Sequence, residues 1–99
     1  MLKHIVMWKF KDAEGNTRAE NAAIAKAGLE ALPPLVSHIK KLTFLDNQVE
    51  CERNFDALLI VETENEEELE RYKNHPEHQK VAQFIAKVTE NRGAVDIWE

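Results

Sequence analysis

Leu2-Lys3-His4-Ile5-Val6-Met7-Trp8-Lys9-Phe10-Lys11 alternates in a way that decides the fold. Leu2, His4, Val6, Trp8 and Phe10 fall on one side of an extended chain, and Ile5 and Met7 on the other, because successive side chains of a strand point to opposite faces. Phe55 to Thr63 repeats the theme: Leu58 and Ile60 oppose Leu59 and Val61. Both strands are therefore apolar on two sides, as expected of a β layer covered above and below.

Between these strands, Thr17 followed by Glu20 forms a capping-box signature. It opens a helix through Ala22, Ala23, Ile24, Ala27, Leu29, Ala31 and Leu32, which Pro33-Pro34 stops. Residues 38–49 hold a second extended stretch, with Leu42 and Phe44 opposite Thr43 and Leu45, and a polar connection leads on to Phe55. After the third strand, Asn65 and Glu68 begin a short helix carrying Leu69 and Tyr72. His75-Pro76 breaks and restarts it, with Pro76 as a first helical residue. The next helix presents Val81, Phe84, Ile85 and Val88 at core spacing. Gly93 reads as its C-terminal stop, and Ala94 to Trp98 as a last strand. The order β-α-β-β-α-β predicts an α+β, ferredoxin-like fold with a four-stranded antiparallel sheet.

Two helices cover only one face of such a sheet. The other face would be a large exposed apolar patch, which soluble monomers seldom carry. Pairing with an identical chain through that face, closing a dimeric α/β barrel, is the expected solution.

At 99 residues, with 13 Lys and Arg against 18 Asp and Glu, the chain is acidic and reads as one domain over residues 1–99. A chain of this mass buries roughly 65% of its unfolded surface, enough for one core. The net charge of −5 disfavours nucleic acid or an anionic membrane as partner. Ile5 to Trp8, bounded by Lys3 and Lys9, is too short for a signal core or a membrane span, which makes the cytoplasm the expected location. Cys51 stands alone between Glu50 and Glu52, excluding an internal disulfide and suggesting a suppressed thiolate.

Four histidines remain: His4, His38, His75 and His78. His4 shares a strand face with Val6 and Trp8, while His78 precedes Val81 by three residues and Ile85 by seven. If the helices cover the even face of the first strand, His4, Tyr72 and His78 converge on one cavity. A histidine near its ordinary pKa of about 6.5 takes a proton at neutral pH, and a tyrosine hydroxyl polarises an oxygen, a set suited to proton abstraction beside a carbonyl. His78 and Tyr72 are the candidate catalytic pair. His4, Val6, Trp8, His75, Val81 and Ile85 are the candidate ligand-binding residues. Each has a plainer reading: His75 as a helix cap, His78 as a hydrogen-bonded histidine at the core edge, Tyr72 as packing, Trp8 and Trp98 as core or pocket lining.

Other chemistries lack parts. His75 and His78 have two-ligand spacing, but a proline intervenes and no acid or thiol cluster accompanies them, so neither metal nor cofactor is expected. The acidic run from Glu62 to Glu70 reads as a solvated strand end and helix start. Ser37, the sole serine, lacks the glycines of a nucleophile elbow, and Gly15, Gly28 and Gly93 are too scattered for a phosphate loop. Phe55 to Val61 lacks the basic–glycine–aromatic signature of RNA-recognition domains.

Lys3 to Lys11 resembles the opening strand of the stress-responsive A/B barrel (Dabb) family. Tyr72-Lys73-Asn74-His75-Pro76-Glu77-His78 resembles its Tyr-x-x-His-Pro-x-His motif, and Val95-Asp96-Ile97-Trp98 its closing strand. The resemblance covers essentially the whole chain and implies a dimeric α+β barrel; most such proteins have no assigned reaction. One member, the plant olivetolic acid cyclase, closes a polyketide ring by an aldol-type step. Its base histidine falls on His78, its assisting tyrosine on Tyr72 and its first-strand histidine on His4. The chain departs from that enzyme at Ala57, where the cyclase has a pocket histidine, and at Ala22, Ala23 and Lys26, where it has aromatic walls. Polyketide cyclisation therefore does not carry over. The reading is a homodimeric barrel protein with a pocket for a small apolar or carbonyl-containing ligand. The alternative is a small acid–base enzyme, cyclase- or lyase-like, with His78 as base and Tyr72 as assistant.

Overall fold

A computed structural model describes residues 1–99. Strand β1 (Leu2–Phe10) runs through the middle of the sheet, and helix α1 (Arg18–Glu30) follows it. Strands β2 (Lys41–Asp46) and β3 (Ala57–Thr63) precede helices α2 (Glu66–Asn74) and α3 (Pro76–Val88), and β4 (Thr89–Trp98) closes the chain. The sheet order is β2-β3-β1-β4, and all three pairings are antiparallel.

The two-faced reading of the strands holds residue by residue. Leu2, His4, Val6, Trp8 and Phe10 are buried, as are Ala57, Leu59, Val61 and Thr63 directly across from β1. The helices lie on this inner side and close a core with Leu29, Leu69, Tyr72, Ile85 and Val88. Trp8 stacks on Phe44 across the intervening strand β3, ring centroids 6.2 Å apart, with the small Ala57 directly opposite Trp8. Ile5, Met7, Leu58 and Ile60 are only half-buried on the outer side, and Leu45, Val95 and Ile97 are exposed there.

Local signals set the helices. Thr17 and Glu20 form the reciprocal capping box at α1, and Asn65 accepts the Glu68 N–H at α2. Gly28 brings α1 close to α3, since a Cβ there would sit 3.1 Å from Val81 Cγ1. Helix α1 ends at Glu30, two residues before the expected Leu32, as the Ala31 and Leu32 N–H groups bond back to Ala27 and Leu29. Strand β2 is shorter than the extended stretch expected over 38–49; a turn occupies 37–38 and Val36 and Ile39 fill the core end.

Gly93 does not stop a helix. Helix α3 already ends at Val88, whose carbonyl accepts the Lys11 N–H, and Thr89 Oγ1 donates to the Ile85 carbonyl. Gly93 instead sits within β4 opposite Met7, so the last strand begins five residues before Ala94. Trp98 is a second correction: at 58% exposure it belongs neither to the core nor to a pocket wall, because β4 is an edge strand that the helices do not reach across. The Cys51 thiol is held below its ordinary pKa, against the expectation from Glu50 and Glu52. Arg53 N–H groups and the Asn54 backbone hydrogen-bond the sulfur, and Lys9 adds positive charge.

Candidate functional site

The inner face of the sheet and the α2–α3 break enclose a cavity of about 670 Å³. Its floor is His4, Val6 and Trp8 from β1, with Leu59 from β3. Its roof is Tyr72 and Lys73 at the end of α2 and His78, Ala82, Ile85 and Ala86 along α3. The rim is Thr89 to Arg92, where the chain turns from α3 into β4.

Placement follows from the Pro76 restart. The break turns α3 so that His78, Ala82, Ile85 and Thr89 form a stripe over the sheet at helical spacing. His78 Nδ1 lies 2.9 Å from the Lys73 carbonyl. A carbonyl only accepts, so Nδ1 carries the proton and Nε2 keeps the lone pair. Burial lowers the His78 pKa below 6.5; the Lys73 carbonyl opposes this, while charge on His4, Lys73 and His75 adds to it. The imidazole is thus neutral at neutral pH.

Tyr72 is 1% exposed, and burial raises its pKa well above 10, keeping the phenol protonated. Its ring packs on the His78 imidazole at 4.4 Å between centroids. No buried side-chain polar atom lacks a partner, so the Tyr72 hydroxyl, which has none within the chain, is open to the cavity. His4, 7% exposed, donates from Nδ1 to Asp96 Oδ1 at 2.5 Å across the β1–β4 ladder.

Of the eight residues proposed from sequence, His4, Val6, Trp8, Tyr72, His78 and Ile85 line this one cavity. His75 and Val81 do not. His75 caps α3, its Nδ1 accepting the Glu77 N–H at 3.1 Å, which leaves its ring at the helix break. Val81 lies on the side of α3 that meets α1 at Gly28. Sequence reasoning missed Asp96, Lys73 and Arg92. Asp96 was legible only once β4 was known to pair with β1, and Lys73 acts through its backbone, which no side-chain pattern reports. No group of three or more His, Cys, Asp or Glu side chains has metal-binding geometry, and no helix is long and apolar enough to cross a membrane.

A four-stranded antiparallel sheet under three helices, with a histidine- and tyrosine-lined cavity between the layers, defines a ferredoxin-like α+β protein with an internal site. The chain belongs to the stress responsive A/B barrel domain (Dabb) family, whose model matches residues 2–99. It is similar to a dimeric protein of unknown function and ferredoxin-like fold from Bacteroides fragilis. That match has 28% identity, covers 99% of this chain and 95% of the other, and has a TM-score of 0.85. A dimeric ferredoxin-like protein of unknown function from Thermobifida fusca matches at 20% identity over 99% and 90% of the two chains, TM-score 0.83. A protein from Arabidopsis thaliana matches at 20% identity over 100% and 95%, TM-score 0.80. No curated protein matches the sequence.

Proposed function

We propose that this chain forms a homodimer through its outer sheet face, and that each subunit's cavity binds a small carbonyl compound on which His78 acts as general base. The dimer is supported by the apolar outer face, where Ile5, Ile60 and Val95 stand side by side on three adjacent strands. It is supported too by the dimeric state of the Bacteroides and Thermobifida relatives.

The observation that carries the chemistry is the His78–Lys73 hydrogen bond, which fixes the tautomer and leaves Nε2 unprotonated beside an apolar cavity. Nε2 takes a proton from the carbon next to a bound carbonyl and becomes the imidazolium N–H. The C–H electron pair moves into the carbon–oxygen system, and the resulting enolate oxygen accepts a hydrogen bond from the Tyr72 hydroxyl. A neutral phenol with no competing partner suits that role better than an ionised one.

The test is deuterium exchange at the α-carbons of 2-octanone in D2O, followed by proton NMR. The wild type should exceed an equal concentration of 4-methylimidazole, and His78→Ala should lose about 10²-fold of the protein-dependent rate while the dimer persists in sedimentation. A His78→Ala protein that is less stable yet exchanges as fast would leave His78 a packing and capping residue only.

A further inference from the structure

We infer that the cavity selects ligands bearing a carboxylate remote from the carbonyl, anchored by Arg92 at the rim; this rests on the cavity being a ligand site as proposed above. Arg92 pairs with Trp8 in the β1–β4 register, so its side chain stands on the inner, cavity face of the edge strand. His4 and Asp96 pair in the same ladder, also on that face. Trp8 is four residues from His4, about 13 Å along a strand. The two polar ends of the cavity are thus well separated.

Two cations line the cavity, Lys73 and Arg92, and they differ in how they are used. Lys73 Nζ lies 3.5 Å from Glu70. Arg92 has no carboxylate within 4.0 Å. Glu90, on the same rim, forms no ion pair with Arg92 and lies near enough to Arg18 to favour its charged form. The register shift between Lys9 and Phe10 skips Glu90, which has no partner on β1, while Arg92 keeps its place opposite Trp8. An uncommitted guanidinium is therefore left beside an opening whose interior is walled by Val6, Leu59, Ala82 and Ile85. A planar fork of donors fits a carboxylate, apolar walls fit a methylene chain, and the His78–Tyr72 end fits a carbonyl. Those three requirements together describe a medium-chain oxo acid.

The test compares 7-oxodecanoic acid with its methyl ester, which has the same chain and carbonyl but no charge, by titration calorimetry at neutral pH and low salt. The wild type should bind the acid about tenfold more tightly than the ester. Arg92→Gln should bring that ratio to about one, and added salt should lower the wild-type ratio. Equal wild-type affinities, or a preference that survives in Arg92→Gln, would overturn the anchor while leaving the cavity reading in place. If neither compound binds, the cavity reading falls and the anchor with it.

Discussion

The His78 imidazole lies against the Tyr72 ring with centroids 4.4 Å apart and planes inclined at 48°, while its Nδ1 is held by the Lys73 backbone carbonyl at the end of α2. This packing places one base and one acid of the same motif at the same cavity wall. Neither is hydrogen-bonded to the other, so both keep a polar atom for a third molecule.

His78 should titrate below 6.5 and carry its proton on Nδ1 when neutral, measured by nitrogen-15 NMR of the imidazole. The unfolded chain takes up the His78 proton first as pH falls, so this contribution to stability is full above 6.5 and is lost on descent through the folded pKa. His78→Gln should flatten that part of the pH–stability curve. A His78 titration at or above 6.5 contradicts the burial argument. The catalytic limb of any exchange profile should fall in the same window, with no second limb from Tyr72 below pH 10.

Asp56 ties the start of α1 to β1: its Oδ2 accepts the Phe10 N–H at 2.7 Å and Arg18 Nε at 2.9 Å. Burial opposes its ionisation, but Arg18 and the Phe10 N–H outweigh that and hold the carboxyl below its ordinary range. Arg18 is half-exposed, so solvent screens part of its share, while the Phe10 N–H bond is part-buried. Asp56→Ala should cost about 2 kcal/mol in urea unfolding at pH 7. The gap to wild type should close as pH drops through the folded pKa, below 3.8.

Glu14 occupies the left-handed region at φ 54°, followed by Gly15 at φ 76°, in the tight turn that bridges Ala13 and Asn16. Such a turn favours Asn-Gly, and glutamate there is strained. Glu14→Asn should stabilise the protein by about 0.5 kcal/mol and raise Tm by about 3 °C. The substitution also removes the ion pair between Glu14 and Lys87, but that pair is exposed, 3.9 Å long, and contributes little. An unchanged or lower Tm in calorimetry would mean that the turn carries no strain.

Ile60, opposite Ile5 on the outer face, should be central to the subunit interface. Ile60→Glu should weaken the dimer at least a hundredfold in sedimentation equilibrium, with the circular dichroism of the monomer retained. A wild type that stays monomeric at high concentration would remove the dimer, and leave the apolar face unexplained.

What the sequence settled is whatever depends on period and on neighbours a few residues away. Alternation in Leu2–Phe10 and Ala57–Thr63 set which side chains go in, since a strand turns each successive residue over. The caps at Thr17 and Asn65 and the Pro76 restart are local hydrogen-bond arithmetic, so element order could be read directly, while the meeting of Tyr72 with His78 followed only if the helices covered the even face of β1. Tertiary structure alone decided what needs distant segments to meet. Asp96 reaches His4 across 92 positions, and Arg92 reaches the cavity rim only because β4 docks beside β1. Gly93, a helix stop by local rules, became a strand residue because Lys11 had already taken the Val88 carbonyl. Val81 left the site for the same reason, since Gly28 placed α1 on the Val81 side of α3, whereas His75 left it through a local bond, its ring capping α3 at the Glu77 N–H.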